Sequence, residues 1–202
     1  MKKLFYIGLL GLILFELAHV YFIMPLPGSQ EMNSIDIAYF LNTWRWFFRI
    51  MFGIMAVSGV KSAFKSTKIA AILSIVLVAS GVYIINFNMS ADTMFYAPSN
   101  MNLKNVTDNK VEKNRLIVGI TYNNEAKAYP IQYIGYHHQV RDSIGGKPVM
   151  ITYCTVCRTA RVYEPLVKGQ LETFRLVGMD HFNALFEDKT TQSRWLKRAV
   201  FA

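Results

Sequence analysis

Residues 148–163 read PVMITYCTVCRTARVY, and this stretch decides how the C-terminal half of the chain folds. An apolar run at 149–153 leads into the only two cysteines, Cys154 and Cys157, and an alternating run rich in β-branched residues follows them. Apolar and alternating β-branched runs are typical of strands. The stretch therefore predicts a strand, a short turn that carries both cysteines, and a second strand.

The surrounding sequence continues this pattern. Strand-like runs occupy 115–122, 126–130, 159–163 and 171–176, and turns are predicted at Asn123-Asn124, Gly145-Gly146 and Lys168-Gly169. Asn and Gly favour such turns because they tolerate positive φ. We expect residues 114–202 to form a mostly β domain, of the β-rich α+β class.

The N-terminal half is much more apolar. The chain has 202 residues, 52% of them hydrophobic, and a mean hydropathy of +0.23. Apolar segments near 4–24, 44–60 and 69–87 approach the length of about 20 residues that spans a bilayer. The sequence predicts an α-helical membrane anchor of three spans in residues 1–89, followed by a polar tether at 90–113.

The distribution of lysines predicts how these spans are oriented. Lys2 and Lys3 precede the first span, and the 61–68 loop carries three lysines and no acid. The 25–43 loop contains Glu31 and Asp36 but no base. Cytoplasmic loops are enriched in Lys and Arg. We therefore expect a multi-pass protein of the plasma (inner) membrane with a cytoplasmic N-terminus and an extracytoplasmic C-terminal domain. Its first partner is the lipid bilayer.

Two further features concern charge. The net charge is +9, but much of the excess flanks the apolar segments and the remainder is interspersed with acids, so no nucleic-acid partner is expected. Glu16 and His19 lie one helical turn apart in the first span, and Arg49 lies in the second. Ionisable groups inside a membrane usually pair, so we expect a contact between Glu16 and Arg49.

The CxxC pair allows several chemistries. In an oxidising compartment, two cysteines at this spacing indicate a disulfide, a redox pair or half of a metal site. The strand-like run after Cys157 differs from the helix that follows a thioredoxin-type pair and favours a turn presenting two sulfurs to one metal. Arg158 replaces the His of a covalent haem motif, so covalent haem is not expected.

Nitrogen ligands are available in the same domain. His137, His138 and His181 all lie within the predicted β-rich region. Together with Cys154 and Cys157 they could form a Cys₂His or Cys₂His₂ set, which suits a zinc or copper ion. The first hypothesis is therefore a transition-metal site built from the CxxC pair and histidine.

Two alternatives remain open. The first is a thiol–disulfide oxidoreductase in which Cys154 attacks and Cys157 resolves the mixed disulfide. The second is a membrane interaction module with a structural disulfide and an extracytoplasmic protein partner. Whether the protein is an enzyme stays open at this point.

Several motifs resemble those of one bacterial family. They are the 124–130 segment with its Ala-Tyr-Pro, Tyr136-His137, the 145–149 segment, the 151–157 segment, Phe174, Gly178, Asn183 and Asp188. In this combination, the stretch from Leu116 to Trp195 resembles the family called domain of unknown function 3179.

The resemblance implies an extracytoplasmic domain, often anchored by an N-terminal signal or membrane spans, and brings no activity with it. The family's usual positions map onto His137, Cys154 and Cys157. The resemblance also implies Pro and Gly where this chain has Thr155 and Arg158, and an acid where His138 stands. Members normally continue beyond the Trp195 region, so we expect a C-terminally short member.

Overall fold

The computed structural model describes residues 1–94, 96, 98, 101–155, 158–192 and 194–196. The chain divides into two compact units, Met1–Met94 with Gly178–His181, and Phe95–Val177 with Phe182–Ala202. The helices are α1 (Lys2–Tyr21), α2 (Ile35–Thr43), α3 (Arg45–Ser66), α4 (Lys68–Phe87), α5 (Ala91–Met94) and α6 (Ile131–His137). The strands are β1 (Ile117–Tyr122), β2 (Glu125–Pro130), β3 (Gln139–Ile144), β4 (Lys147–Cys154), β5 (Thr159–Tyr163), β6 (Leu166–Val167), β7 (Gln170–Leu171), β8 (Phe174–Asp180), β9 (Asn183–Asp188) and β10 (Arg194–Leu196).

Helices α1, α3 and α4 are long and apolar enough to cross a membrane. They occupy the three apolar segments that the sequence predicts, although α3 continues to Ser66, beyond the predicted end at residue 60. The predicted 25–43 loop contains the additional helix α2. N-terminal apolar helices followed by a β-rich region are thus confirmed.

Helices α1 and α3 approach each other closely because glycines line their contact. A Cβ added at Gly8 would lie 2.5 Å from the Ala56 nitrogen, and one added at Gly59 would lie 2.5 Å from the Phe5 nitrogen. Small residues at such contacts allow helix backbones to pack tightly where hydrophobic burial offers little driving force. Larger side chains at either glycine would therefore force the helices apart.

The expected contact between Glu16 and Arg49 is confirmed. Glu16 is fully buried, and its two carboxylate oxygens accept hydrogen bonds from Arg49 Nε and Nη2 at 2.6 and 3.0 Å. Asn86 Nδ2 donates to the same carboxylate at 2.9 Å, and its Oδ1 accepts from Arg49 Nη2 at 2.7 Å. One residue from each of α1, α3 and α4 therefore forms a closed polar cluster within an apolar helical unit.

The second unit is assembled from hairpins. β1 and β2 form a two-stranded antiparallel sheet whose turn, Asn123-Asn124, has φ of 46° and 61°. β3, β4 and β5 form an antiparallel sheet in that order, β6 and β7 form a short hairpin, and the third sheet has the order β10-β9-β8. A hydrophobic core lies between the first two sheets and α6 and contains Tyr129, Ile134 and Ile151.

Most predicted strands are present, but the one predicted at 171–176 is wrong in part. β7 ends at Leu171 and β8 begins at Phe174. The Glu172 amide donates to the Pro165 carbonyl, and the Thr173 amide donates to the Glu172 side chain. These hydrogen bonds turn the chain between Leu171 and Phe174, two apolar residues that the sequence alone would place in one strand.

Candidate functional site

The first cysteine lies at the end of a buried strand. Cys154 is the last residue of β4, and it pairs with Thr159, the first residue of β5. Its side chain is 3% exposed, and Sγ lies 3.7 Å from the Phe182 carbonyl oxygen. β4 and β5 are therefore neighbouring antiparallel strands, as the sequence predicts, and the loop 155–158 joins them. Cys157 lies within this loop but outside the described residues.

Helix α6 packs against the start of this loop. A Cβ added at Gly135 would lie 2.9 Å from Thr155 Cγ2 and 3.6 Å from Tyr153 Cδ1. A side chain at position 135 would therefore require Thr155 to shift. In the antiparallel register, Gln139 of β3 pairs with Thr152 of β4. The end of α6 and the end of β4 consequently meet at the same edge of the sheet.

His137 is the last residue of α6 and is held by its surroundings. Its Nδ1 donates to the Tyr96 carbonyl oxygen at 2.6 Å. The rings of Tyr133 and Tyr136 flank the imidazole, with centroids 4.7 and 5.0 Å away. An Nδ1–H bond to a carbonyl orients the ring and leaves Nε2 as the ring nitrogen that could bind a metal ion.

The other two histidines occupy turns. His138 caps α6 with φ of 63°, and its amide donates to the Ile134 carbonyl. His181 lies in the turn between β8 and β9, where its Nδ1 donates to the carboxylate of Asp180 at 2.9 Å. Phe182, whose carbonyl contacts Cys154, follows His181 directly in that turn.

The described residues do not bring the full predicted set of metal ligands together. Among the described residues, no three His, Cys, Asp or Glu side chains lie close enough together to hold a metal ion. Cys157 is not among the described residues. The register places His137 at the Cys154 end of the sheet, and His138 begins the turn into β3.

Arg158 has an unusual backbone for its residue type. Its φ of 49° lies in the left-handed region that favours glycine. This is the position at which the family resemblance implies Gly. The hairpin thus keeps a turn conformation suited to glycine while carrying a cationic side chain next to Cys157 in sequence.

A second polar cluster, which sequence reasoning missed, joins β2 to β3. Lys127 Nζ donates to Asp142 Oδ1 at 3.1 Å and to the Ser143 carbonyl at 2.6 Å, and it lies 3.2 Å from Glu125 Oε1. The Tyr129 hydroxyl donates to Asp142 Oδ2 at 2.7 Å. Tyr129 is the aromatic residue of the Ala-Tyr-Pro motif, which gave the only sequence signal for this cluster.

This arrangement shifts the pKa values of its members. Burial alone would raise the pKa of Asp142, but hydrogen bonds from Tyr129, the Ser143 amide and Lys127 lower it overall. Burial and the neighbouring Asp142 carboxylate raise the pKa of Tyr129. The phenol therefore stays protonated as a donor while the carboxylate stays ionised as an acceptor. The cluster links the β1–β2 hairpin to the β3-β4-β5 sheet.

Comparison with known proteins agrees with the motifs. A family model described as a protein of unknown function, DUF3179, matches residues 97–200. The chain belongs to this family. No curated protein and no solved structure matches the chain. The DUF3179 match includes both cysteines and the three histidines of the candidate site, whereas the helices α1 to α5 precede it.

Proposed function

We propose that this DUF3179 protein is anchored in a membrane by α1, α3 and α4, with its β-rich domain outside the cytoplasm. The lengths and apolar composition of the three helices support the anchor. The lysines at the start of α1, near the end of α3 and at the start of α4 support a cytoplasmic N-terminus. Three crossings would then leave the chain after α4 on the opposite side.

We propose further that the extracytoplasmic domain binds a transition metal through Cys154, Cys157 and His137. The observation that carries this proposal is the position of Cys154 at the end of β4, paired with Thr159 of β5. A CxxC in the turn of a β-hairpin can present two thiolates to one ion, as in structural zinc sites. No helix begins at this loop in the described residues to activate a thioredoxin-type thiol.

The environment of His137 supports its role as the third ligand. Metal-bound histidines usually donate their second ring N–H to a carbonyl or carboxylate, which orients the ring. The Nδ1 bond to the Tyr96 carbonyl provides this for His137. His138 and His181 remain candidates for a further ligand, and His181 has the equivalent bond to Asp180. Thiolate and imidazole ligands suit zinc or copper.

Burial of Cys154 disfavours the redox alternative. A nucleophilic thiol must be reached by the substrate disulfide, and Cys154 is almost fully covered. A buried sulfur is well suited to a metal that joins the hairpin to the end of α6. The metal would then contribute directly to the stability of the domain.

The test is the metal content of the full-length protein, purified in detergent without chelators. We expect about one zinc or copper ion per chain, loss of the ion in Cys154→Ser and Cys157→Ser, and weaker retention in His137→Gln. His19→Gln in α1 is the matched control and should keep its metal. His138→Asn, which tolerates the left-handed backbone, tests a fourth ligand.

The opposite result is equally clear. A folded, metal-free protein whose two thiols react only after reduction would contradict metal binding and indicate a disulfide. Capture of covalent partners by Cys157→Ser would then identify the oxidoreductase. If nothing is captured, the disulfide is structural.

A further inference from the structure

Helix α2 lies between two of the candidate membrane spans and is joined to the second of them almost directly. Trp44 alone separates its last residue, Thr43, from Arg45, the first residue of α3. Its 9 residues extend over only about 14 Å, which is about half the thickness of the hydrocarbon core. α2 is therefore too short to cross a bilayer, and its C-terminal end lies where α3 begins.

Two side-chain contacts define the direction of α2 relative to α1. At the start of α2, Ser34 Oγ donates to the Phe22 carbonyl at 3.3 Å. At its end, Asn42 Oδ1 lies 3.3 Å from His19 Nε2. Ser34 and Asn42 are about 12 Å apart along a helix axis, whereas Phe22 and His19 are only about 4.5 Å apart. α2 therefore runs across the end of α1 rather than alongside it.

One face of α2 carries a stripe of exposed apolar side chains. Ile37, Phe40 and Trp44 follow each other at the i, i+3, i+7 spacing of a single helical face. They are 45%, 53% and 51% exposed. Ala38 and Asn42 lie one turn apart on a different face, where Ala38 is buried and Asn42 is half-buried. The helix is thus packed on one face and presents an apolar surface on another.

Ring contacts show which way this stripe faces. The ring centroid of Phe40 lies 6.3 Å from that of Phe48, which is in the first turn of α3. The ring of Phe48 stacks on Phe15 of α1, with centroids 5.1 Å apart. Phe15 precedes His19 by one helical turn, so it lies further from the end of α1 than the contacts of α2 do. The stripe therefore faces back toward the level of the spans.

We propose that α2 lies in the boundary between lipid headgroups and acyl chains, with the stripe Ile37, Phe40 and Trp44 inserted into lipid. The exposed apolar surface of the stripe continues into Phe47 and Ile50 of α3, which is itself long and apolar enough to span. Amphipathic helices bury their apolar face at this depth, and tryptophan is enriched there. This placement rests on the membrane anchor proposed above and adds a lipid-binding helix that does not cross.

The polar contacts of α2 give this helix a structural effect on both neighbouring spans. Arg45 Nη1 donates to Asn42 Oδ1 at 2.6 Å and to the Asn42 carbonyl at 3.1 Å. The same Asn42 side chain contacts His19 in the last turn of α1. Insertion of the stripe into lipid would therefore hold the end of α1 and the start of α3 at one depth, at the surface of the bilayer.

The experiment measures the depth of single tryptophans in full-length protein reconstituted into brominated phosphatidylcholine vesicles. The background carries Trp44→Phe, Trp46→Phe and Trp195→Phe, and one tryptophan is added to it at a time. Bromine near the headgroup end of the acyl chain quenches shallow tryptophans, bromine near its methyl end quenches deep ones, and acrylamide quenches those in water. Phe40→Trp should be quenched at least about twofold more by shallow than by deep bromine, because such a helix enters the boundary by about 5–10 Å.

Two control variants use the same background. Leu77→Trp, at the middle of α4 and 75% exposed, tests the anchor alone and should be quenched most by deep bromine. Glu31→Trp, in the exposed turn before α2, should be quenched by acrylamide and little by bromine. An unchanged melting temperature verifies the fold of each variant.

Failure of this inference and failure of the anchor give different results. If Leu77→Trp is quenched by deep bromine while Phe40→Trp is reached by acrylamide and by neither bromine, the anchor stands and the lipid-binding role of α2 is refuted. Quenching of Phe40→Trp mainly by deep bromine would also refute it, because α2 would then lie within the hydrocarbon core. If neither bromine quenches Leu77→Trp, the anchor itself is wrong and the placement of α2 is wrong with it.

Discussion

Asp142 offers a direct test of how the β1–β2 hairpin is held against the β3-β4-β5 sheet. Its carboxylate accepts hydrogen bonds from the Tyr129 hydroxyl at 2.7 Å, the Ser143 amide at 2.7 Å and Lys127 Nζ at 3.1 Å. The Asp142 and Lys127 side chains are 14% and 19% exposed. The substitution Asp142→Asn keeps the shape of the side chain but removes its charge.

The expected loss of stability follows from these contacts. Hydrogen bonds to a charged group contribute about 1.5–3 kcal/mol each. Asparagine retains a neutral acceptor for Tyr129, and Lys127 keeps Glu125 and the Ser143 carbonyl. We therefore expect Asp142→Asn to lower the free energy of unfolding of the β-rich domain by about 2 kcal/mol, which is less than the sum of the separate bonds.

The measurement is amide deuterium exchange of β4 in the full-length protein in detergent. A loss of about 2 kcal/mol should lower the protection of β4 about thirtyfold. The matched control is Glu164→Gln, which breaks a Lys147–Glu164 pair of 2.8 Å whose side chains are 48% and 49% exposed. Exposed pairs contribute about 0–1 kcal/mol. Equal protection in the two variants would refute the argument from burial.

The stabilising effect of the Asp142 carboxylate should also depend on pH. The folded pKa of Asp142 lies below its ordinary value, so this carboxylate stabilises the fold above the unfolded pKa of about 3.9. That stability is lost as the pH falls through the lower folded pKa. The difference in β4 protection between native protein and Asp142→Asn should be full at neutral pH and shrink below about pH 4. A difference that stays constant to pH 3 would contradict this assignment.

Other substitutions test separate features of the chain. Glu16→Gln leaves Arg49 without its anionic partner and should lower the free energy of unfolding of the detergent-solubilised protein by about 3 kcal/mol. The control Glu31→Gln should change it little, and equal melting temperatures of the two variants would contradict a stabilising pair. His138→Val should cost about 1–2 kcal/mol more than His138→Asn, because a β-branched residue resists the left-handed backbone; deuterium exchange of α6 measures the difference. Arg158→Gly should raise β4 protection about fivefold by relieving the same strain, and a decrease would show that the arginine side chain stabilises the turn.

The sequence predicted those parts of the fold that depend on local pattern. The apolar segments located α1, α3 and α4, and the run before Cys154 located β4, because length and periodicity determine such elements. The Asn123-Asn124 and Gly145-Gly146 turns followed from residues that accept positive φ. All of these signals lie within a few residues of the structure they specify.

Features that depend on distant residues were missed. β3 carries Arg141 and Asp142 in its middle, and these charges hide its strand pattern in the sequence. In the fold, Asp142 is paired with Tyr129 and Lys127, and Arg141 donates to the Phe174 carbonyl. Helix α6 was missed because its seven residues are too few to show a helical period. For the proposed site, the sequence supplied the candidate ligand types, but the bond from His137 to the Tyr96 carbonyl required tertiary contacts.

Under the membrane anchor proposed above, the closed cluster of Glu16, Arg49 and Asn86 has a consequence for the order in which the helices would enter a bilayer. α3 is the least apolar of the three candidate spans, and an arginine inside a bilayer is costly. Since α1 emerges first during synthesis, Glu16 is already in place when Arg49 arrives. We expect α3 fused to a glycosylation reporter to insert poorly alone and efficiently behind α1, but not behind α1 with Glu16→Leu; equal insertion in all three fusions would disprove this dependence. Helix α1 would then assist the insertion of α3 within the same chain.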